Sequence, residues 1–163
     1  MGLVWGRVLG LLGLAAGASA QQLILTITTP AGQIRAGSPL EVQAQLAGVA
    51  GSSLAAWQVS IIASTGGPWK ATDGPTALAA TKAFSCAQPR DGDCMCLQSG
   101  QNRSVYGDGV AGTFILLIPA RAKGNHTIHA KNMLGATSDG SELPFAAPLD
   151  IVLNFKINKG PRR

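Results

Sequence analysis

Leu149-Asp-Ile-Val-Leu-Asn-Phe-Lys-Ile157 carries an apolar side chain at every second position, at Leu149, Ile151, Leu153, Phe155 and Ile157. Successive side chains of an extended chain point to opposite faces, so a period of two marks a strand with one buried face. This is the longest such stripe in the sequence, and it predicts a closing strand with Ile151, Leu153 and Phe155 in the core. The same alternation recurs upstream. Leu23, Leu25 and Ile27 share a face, as do Val42, Ala44 and Leu46 between Glu41, Gln43 and Gln45. Trp57, Val59 and Ile61 alternate with Gln58 and Ser60, and His126 is in phase with Ile128 and Ala130. Thr113–Ile118 is apolar on both faces, as a central covered strand requires.

Turn signals separate these runs: Pro30-Ala-Gly32, Ala36-Gly-Ser-Pro39, Gly66-Gly-Pro68, Asp73-Gly-Pro75, Arg90-Asp-Gly92, Gly107-Asp-Gly109 and Ser138-Asp-Gly140. Short strands at regular spacing with Gly, Asp and Pro between them predict an all-β sandwich or barrel. Only Pro75–Lys82 suits a short helix. The composition agrees with this. Charged residues are 13% and aromatics 5% of the 163 residues, while 21 Gly and 9 Pro supply turns. So little charge excludes a coiled coil and a charge-rich disordered chain.

Residues Met1–Ala20 read as a signal peptide. Arg7 supplies a charge, Val8–Gly17 an apolar core, and Ala18-Ser-Ala20 the small-x-small cleavage pattern. The apolar run is too short to span about 30 Å of hydrocarbon comfortably. A secreted protein, extracellular or at a cell surface, is therefore expected, with the mature chain starting at Gln21. The folded domain is expected over residues 22–155 and a basic tail over residues 156–163. Of the 13 basic residues, Arg7 belongs to the leader, and Lys156, Lys159, Arg162 and Arg163 to the tail. Eight remain against 8 acidic residues, so the body is formally neutral. No basic face for nucleic acid is visible.

The chemistry-bearing residues are few. Cys86, Cys94 and Cys96 fall within eleven positions, a pattern that in an exported protein reads as one disulfide plus a spare thiol. Cys94 and Cys96 share parity, so alternation does not choose between them as the partner of Cys86. Cys-x-Cys with His126-x-x-His129 is not a common structural zinc spacing. Most carboxylates, including Asp73, Asp91, Asp93, Asp108 and Asp139, sit in turns, where Asp caps its own backbone. Asp91 with Asp93, or Asp139 with Glu142, are candidates for a calcium site, although the chain has no complete calcium loop; no other cofactor is expected. No Gly-x-Ser-x-Gly elbow is present, and neither His126 nor His129 is placed as a catalytic base. No catalytic residue is assigned, and an enzyme is not expected. Trp69 and Tyr106 lie in expected loops and are candidate ligand contacts, since exposed rings stack on sugars or anchor interfaces. For Trp69 a loop folded over the sandwich edge is the alternative.

The order of motifs resembles a cohesin domain of bacterial extracellular proteins. An Ala36-Gly-Ser-Pro39 turn precedes an amphipathic strand ending in Leu46-Ala-Gly48, and Leu54-Ala-Ala-Trp-Gln-Val-Ser60 follows. Gly107-Asp-Gly-Val-Ala-Gly-Thr-Phe114, Ile118-Pro-Ala-Arg-Ala-Lys-Gly124, a strand ending near Asn132, and Ser138-Asp-Gly-Ser-Glu-Leu-Pro144 then complete the pattern. The resemblance implies a single jelly-roll, Ig-like β-sandwich of about nine strands. It favours a Cys86–Cys96 disulfide with Cys94 unpaired. It also implies a non-catalytic binding module that docks a dockerin-like protein module or a polysaccharide-associated component in extracellular polysaccharide breakdown. The rival expectation is a structural surface or assembly subunit, and a small secreted hydrolase is a distant third.

Overall fold

A computed structural model describes residues 21–155. The expected leader, the basic tail and Ile157 lie outside the described residues. Ten strands and one short helix form in this order: β1 (Gln22–Ile27), β2 (Pro39–Ala47), β3 (Leu54–Ala63), β4 (Trp69–Asp73), α1 (Pro75–Ala79), β5 (Ala83–Ala87), β6 (Asp93–Ser99), β7 (Gly109–Leu117), β8 (Gly124–Thr137), β9 (Glu142–Pro144) and β10 (Ile151–Phe155). Pro75 at the first helical position fits α1, since its missing N–H would have no partner there.

The strands form two antiparallel sheets. One runs β1-β2-β7-β4, and the other runs β10-β8-β3-β6-β5 with β9 added on β8. Their apolar faces meet in a single core that holds Leu40, Val42, Leu46, Trp57, Ile61, Phe114, Leu116 and Ile128. The alternating stretches behave as their periodicity predicts. Val42, Ala44 and Leu46 are fully buried, while Glu41 and Gln45 face outward.

Aromatic rings link the layers. Phe84 lies 5.6 Å from Trp57 and 5.3 Å from Phe114, and Trp69 lies edge-on to Phe114 at 6.4 Å. Gly112 makes this possible, because a Cβ there would come within 2.3 Å of the Phe84 ring. Lys82 is also buried. Its ammonium donates to the Asn102 backbone oxygen at 2.9 Å and to Oδ1 at 2.8 Å, and burial lowers its pKa.

Two expectations need correction. Trp69 opens β4 opposite Leu116 and is only 4% exposed; its indole N–H donates to the Gly92 carbonyl at 2.7 Å. Tyr106 is 2% exposed, its backbone N–H bound to the Leu54 carbonyl. Both rings serve the core, because a sandwich this poor in aromatics fills its ends with the large rings it has. The stripe that begins at Leu149 also shortens. Leu149 is 90% exposed, since β10 begins only at Ile151 and alternation governs burial only within a strand. Ile151 is half-buried, and Leu153 and Phe155 are buried as expected.

Candidate docking face

The outer surface of β5, β6, β3 and β8 is set by register. Ser85 pairs with Leu97, Leu97 with Gln58, and Gln58 with Leu134. The next outward row is Ala87, Met95, Ser60 and Lys131, followed by Asp93, Ile62 and His129. The face is therefore apolar at its centre and polar or charged at one end. Met95 is 51% and Leu97 44% exposed, although both occupy interior strand positions of a sheet. With Met133 and Leu134 they line a shallow groove of about 680 Å³.

A bulge in β8 shapes the groove. Lys131 to Leu134 advances three residues while Ser60 to Gln58 advances two, so one residue is extra. Asn132 absorbs it with φ 53°, in the left-handed region that Asn tolerates better than most residues. Its side-chain amide donates to Ser60 Oγ at 3.4 Å. The bulge reverses the phase of the strand. Before it His129 and Lys131 face outward, and after it Leu134 does, with Gly135 turned inward.

Cys86 and Cys96 line the groove, and Cys94 is buried beneath it on the inward side of β6. Cys86 and Cys96 are disulfide-bonded across the paired positions of β5 and β6, with Cα atoms 4.2 Å apart. Cys94 is free and buried, and its Sγ lies 3.4 Å from that of Cys96. Burial pushes its thiol pKa up to about 11. Among the described residues this trio is the one set of three potential metal-ligating side chains that converges.

Two of the four candidate calcium carboxylates, Asp91 and Asp139, have other tasks. Asp91 Oδ1 accepts the Gly67 N–H at 2.8 Å and Asp91 Oδ2 faces Arg121 at 3.5 Å, an exposed pair. Asp139 accepts from the Thr137 hydroxyl and the Ser141 N–H, and those bonds hold its pKa at about 2. Neither pair, Asp91 with Asp93 or Asp139 with Glu142, belongs to a convergent trio. His126 bridges Ser64 Oγ at 3.2 Å and the Lys123 carbonyl at 3.1 Å with its ring against Phe155, while exposed His129 meets Asp150.

No protein-family profile and no curated protein matches the chain. Solved structures do. The OlpA cohesin of Clostridium thermocellum, solved in complex with a dockerin, superposes with a TM-score of 0.67 at 16% identity, covering 83% of this chain and 99% of the other. The chain has the cohesin fold. A non-cellulosomal cohesin from the archaeon Archaeoglobus fulgidus gives 0.65 at 10% identity over 86% and 94% of the two chains. The sixth cohesin of Acetivibrio cellulolyticus scaffoldin B, also in complex with a dockerin, gives 0.64 at 15% over 83% and 99%. The cohesin fold explains why the ordered motifs from Gly107 to Pro144 were recognisable. They span β7, β8 and β9 and the turns that join them.

Sequence reasoning missed the groove. Met95, Leu97 and Met133 were not singled out, because apolar residues inside a strand read as core. The available signal was Cys94-Met-Cys-Leu97, which is apolar on both faces yet closely follows the Arg90-Asp-Gly92 turn.

Proposed function

We propose that this chain is a non-catalytic docking module that seats a dockerin-type protein module on the β5-β6-β3-β8 face. The observation that carries the reading is the half-exposure of Met95 and Leu97 at the centre of a sheet face. Large apolar side chains grouped in the open are costly unless a partner covers them, and Met suits adaptable interfaces. Neighbours with the same fold are solved bound to dockerins, which supports that class of occupant. Burial of Trp57, Trp69 and Tyr106 leaves no such ring, among the described residues, to stack on a sugar. That favours a protein over a polysaccharide as the direct ligand.

Export and a place in extracellular polysaccharide breakdown belong to this proposal. They are supported by the Arg7, apolar run and Ala18-Ser-Ala20 pattern and by the cohesin likeness. Intact mass of exported protein is expected to show loss of Met1–Ala20, and a retained leader overturns the export reading.

The docking test is calorimetric titration of the mature chain with dockerin modules from the producing organism. Leu97→Asp and Met95→Lys are each expected to weaken binding about 30-fold or more, as loss of a central anchor does. Both positions already face water, so the melting temperature is expected to stay near that of the unaltered chain. Dockerin binding unchanged by both substitutions overturns the reading. Self-association abolished by them instead favours an assembly subunit.

A further inference from the structure

The three sulfur atoms do more than close one hairpin. All three Sγ atoms lie within 4.8 Å of one another, and only Cys86 is exposed. Cys94 and Cys96 sit two residues apart on the inward side of β6, their Sγ atoms 3.4 Å apart. Same-face neighbours in a strand have Cα atoms about 6.7 Å apart, at the upper end of what a disulfide spans. Cys86 stands on β5, which among the described residues is an edge strand paired with β6 alone, so its end of the bond is the less constrained one.

We propose that the trio is a thiol–disulfide relay that exports the buried Cys94 thiol to the surface as a reactive thiol at Cys86. Cys94 gives its proton to water and its thiolate attacks Cys96 Sγ. The Cys94–Cys96 bond forms as the Cys86–Cys96 bond breaks, and Cys86 leaves as a thiolate that takes up a proton. One disulfide and one thiol exist before and after, so the step needs no oxidant or reductant. Cys86 then becomes a site for exchange with a small molecule or protein that carries an accessible disulfide. That second step forms a mixed disulfide at Cys86 and releases the other half as a thiol.

The relay is slow at neutral pH, because a thiol with a pKa near 11 is rarely ionised. It also couples to the groove, whose lining includes both Cys86 and Cys96. Release of Cys86 removes the disulfide cross-link between β5 and β6. None of this depends on the identity of the docked partner.

The test traps the exported thiol. The folded chain is incubated with iodoacetamide at pH 7, 8 and 9, quenched in acid, and peptide-mapped without reduction. The expected product carries the alkyl group on Cys86 together with a Cys94–Cys96 disulfide. Its rate is expected to rise about tenfold per pH unit, following the Cys94 thiolate. Cys94→Ala, which leaves no buried polar atom, is expected to give no adduct and an intact Cys86–Cys96 bond. Repeating the reaction with oxidised glutathione is expected to place the mixed disulfide on Cys86. Alkylation of Cys94 with Cys86–Cys96 intact, no adduct across the pH range, or Cys86 labelling in Cys94→Ala each overturns the relay. The map of the unaltered chain is decisive by itself if the variant fails to fold.

Discussion

Trp57 Nε1–H donates to Gln98 Oε1 across 2.8 Å in the middle of the sandwich, where Gln98 is fully buried. The Gln98 amide nitrogen donates onward to the Ala111 carbonyl at 2.8 Å and to Asp73 Oδ1 at 3.0 Å. Gln98 and Trp57 belong to one sheet and Asp73 and Ala111 to the other, so a single side chain ties the layers together. Its amide group uses both donors and its acceptor. The Tyr106 hydroxyl, which burial raises well above its usual pKa and Asp73 raises further, faces the Gln98 backbone carbonyl at 3.4 Å.

Gln98→Leu keeps the volume and removes all three side-chain bonds. It leaves the Trp57 N–H buried without a partner, while the Ala111 carbonyl keeps its bond from the Gly74 N–H at 2.8 Å. An orphaned buried donor costs on the order of 1–3 kcal/mol, so a loss of about 2 kcal/mol is expected in urea unfolding. A neutral outcome would mean that water enters the sandwich at this layer.

The residues around Gln98 also explain what the sequence disclosed and what it hid. Val42, Ala44 and Leu46 were legible because each inward position is apolar and each outward one polar. In β6 the pattern is inverted. Gln98 points inward, and Met95 and Leu97 point outward. The inward polar group is affordable only through the bonds to Trp57, Asp73 and Ala111, and the outward apolar ones only if a partner covers them. Neither condition is visible in local periodicity, since both depend on strands distant in sequence. β4 was missed for a related reason. Trp69-Lys-Ala-Thr-Asp73 carries one large apolar residue, and its pairing to Leu116 and Phe114 supplies the rest. The short helix, the turns at Asp73, Arg90 and Ser138, and the ordered motifs from Gly107 onward were readable, because proline and glycine act locally.

Asp108 gives a pH-dependent test. Its carboxylate accepts backbone N–H groups from Gly48 at 3.0 Å and from Val49 and Ala50 at 2.8 Å, pinning the β2–β3 turn to the start of β7. The bonds from Ala50 and Gly48 hold its pKa below the ordinary 3.8. A carboxyl depressed on folding stabilises fully above its unfolded pKa, and the benefit fades as pH falls through the folded value. Asp108→Asn is expected to cost about 1 kcal/mol at pH 7, a figure reduced because the carboxylate is exposed. The gap between the two proteins should close as the pH falls below 3.8. A gap that is constant from pH 7 to pH 2 assigns the effect to shape rather than charge.

The boundary of β10 is the remaining test, and it separates two residues of one sequence stripe. Phe155 is 5% exposed, pairs with Gly124 and packs its ring 5.7 Å from that of His126. Leu149 has the same parity but lies before the strand and is 90% exposed. Phe155→Ala removes a ring from the sandwich end and is expected to cost about 3 kcal/mol, the low end for such a change because β10 is an edge strand. Leu149→Ala removes almost no buried area and is expected to stay within about 0.5 kcal/mol. Chemical denaturation of both variants decides between burial and periodicity as the cause. Equal losses at the two positions would extend β10 back to Leu149 and place that side chain in the core.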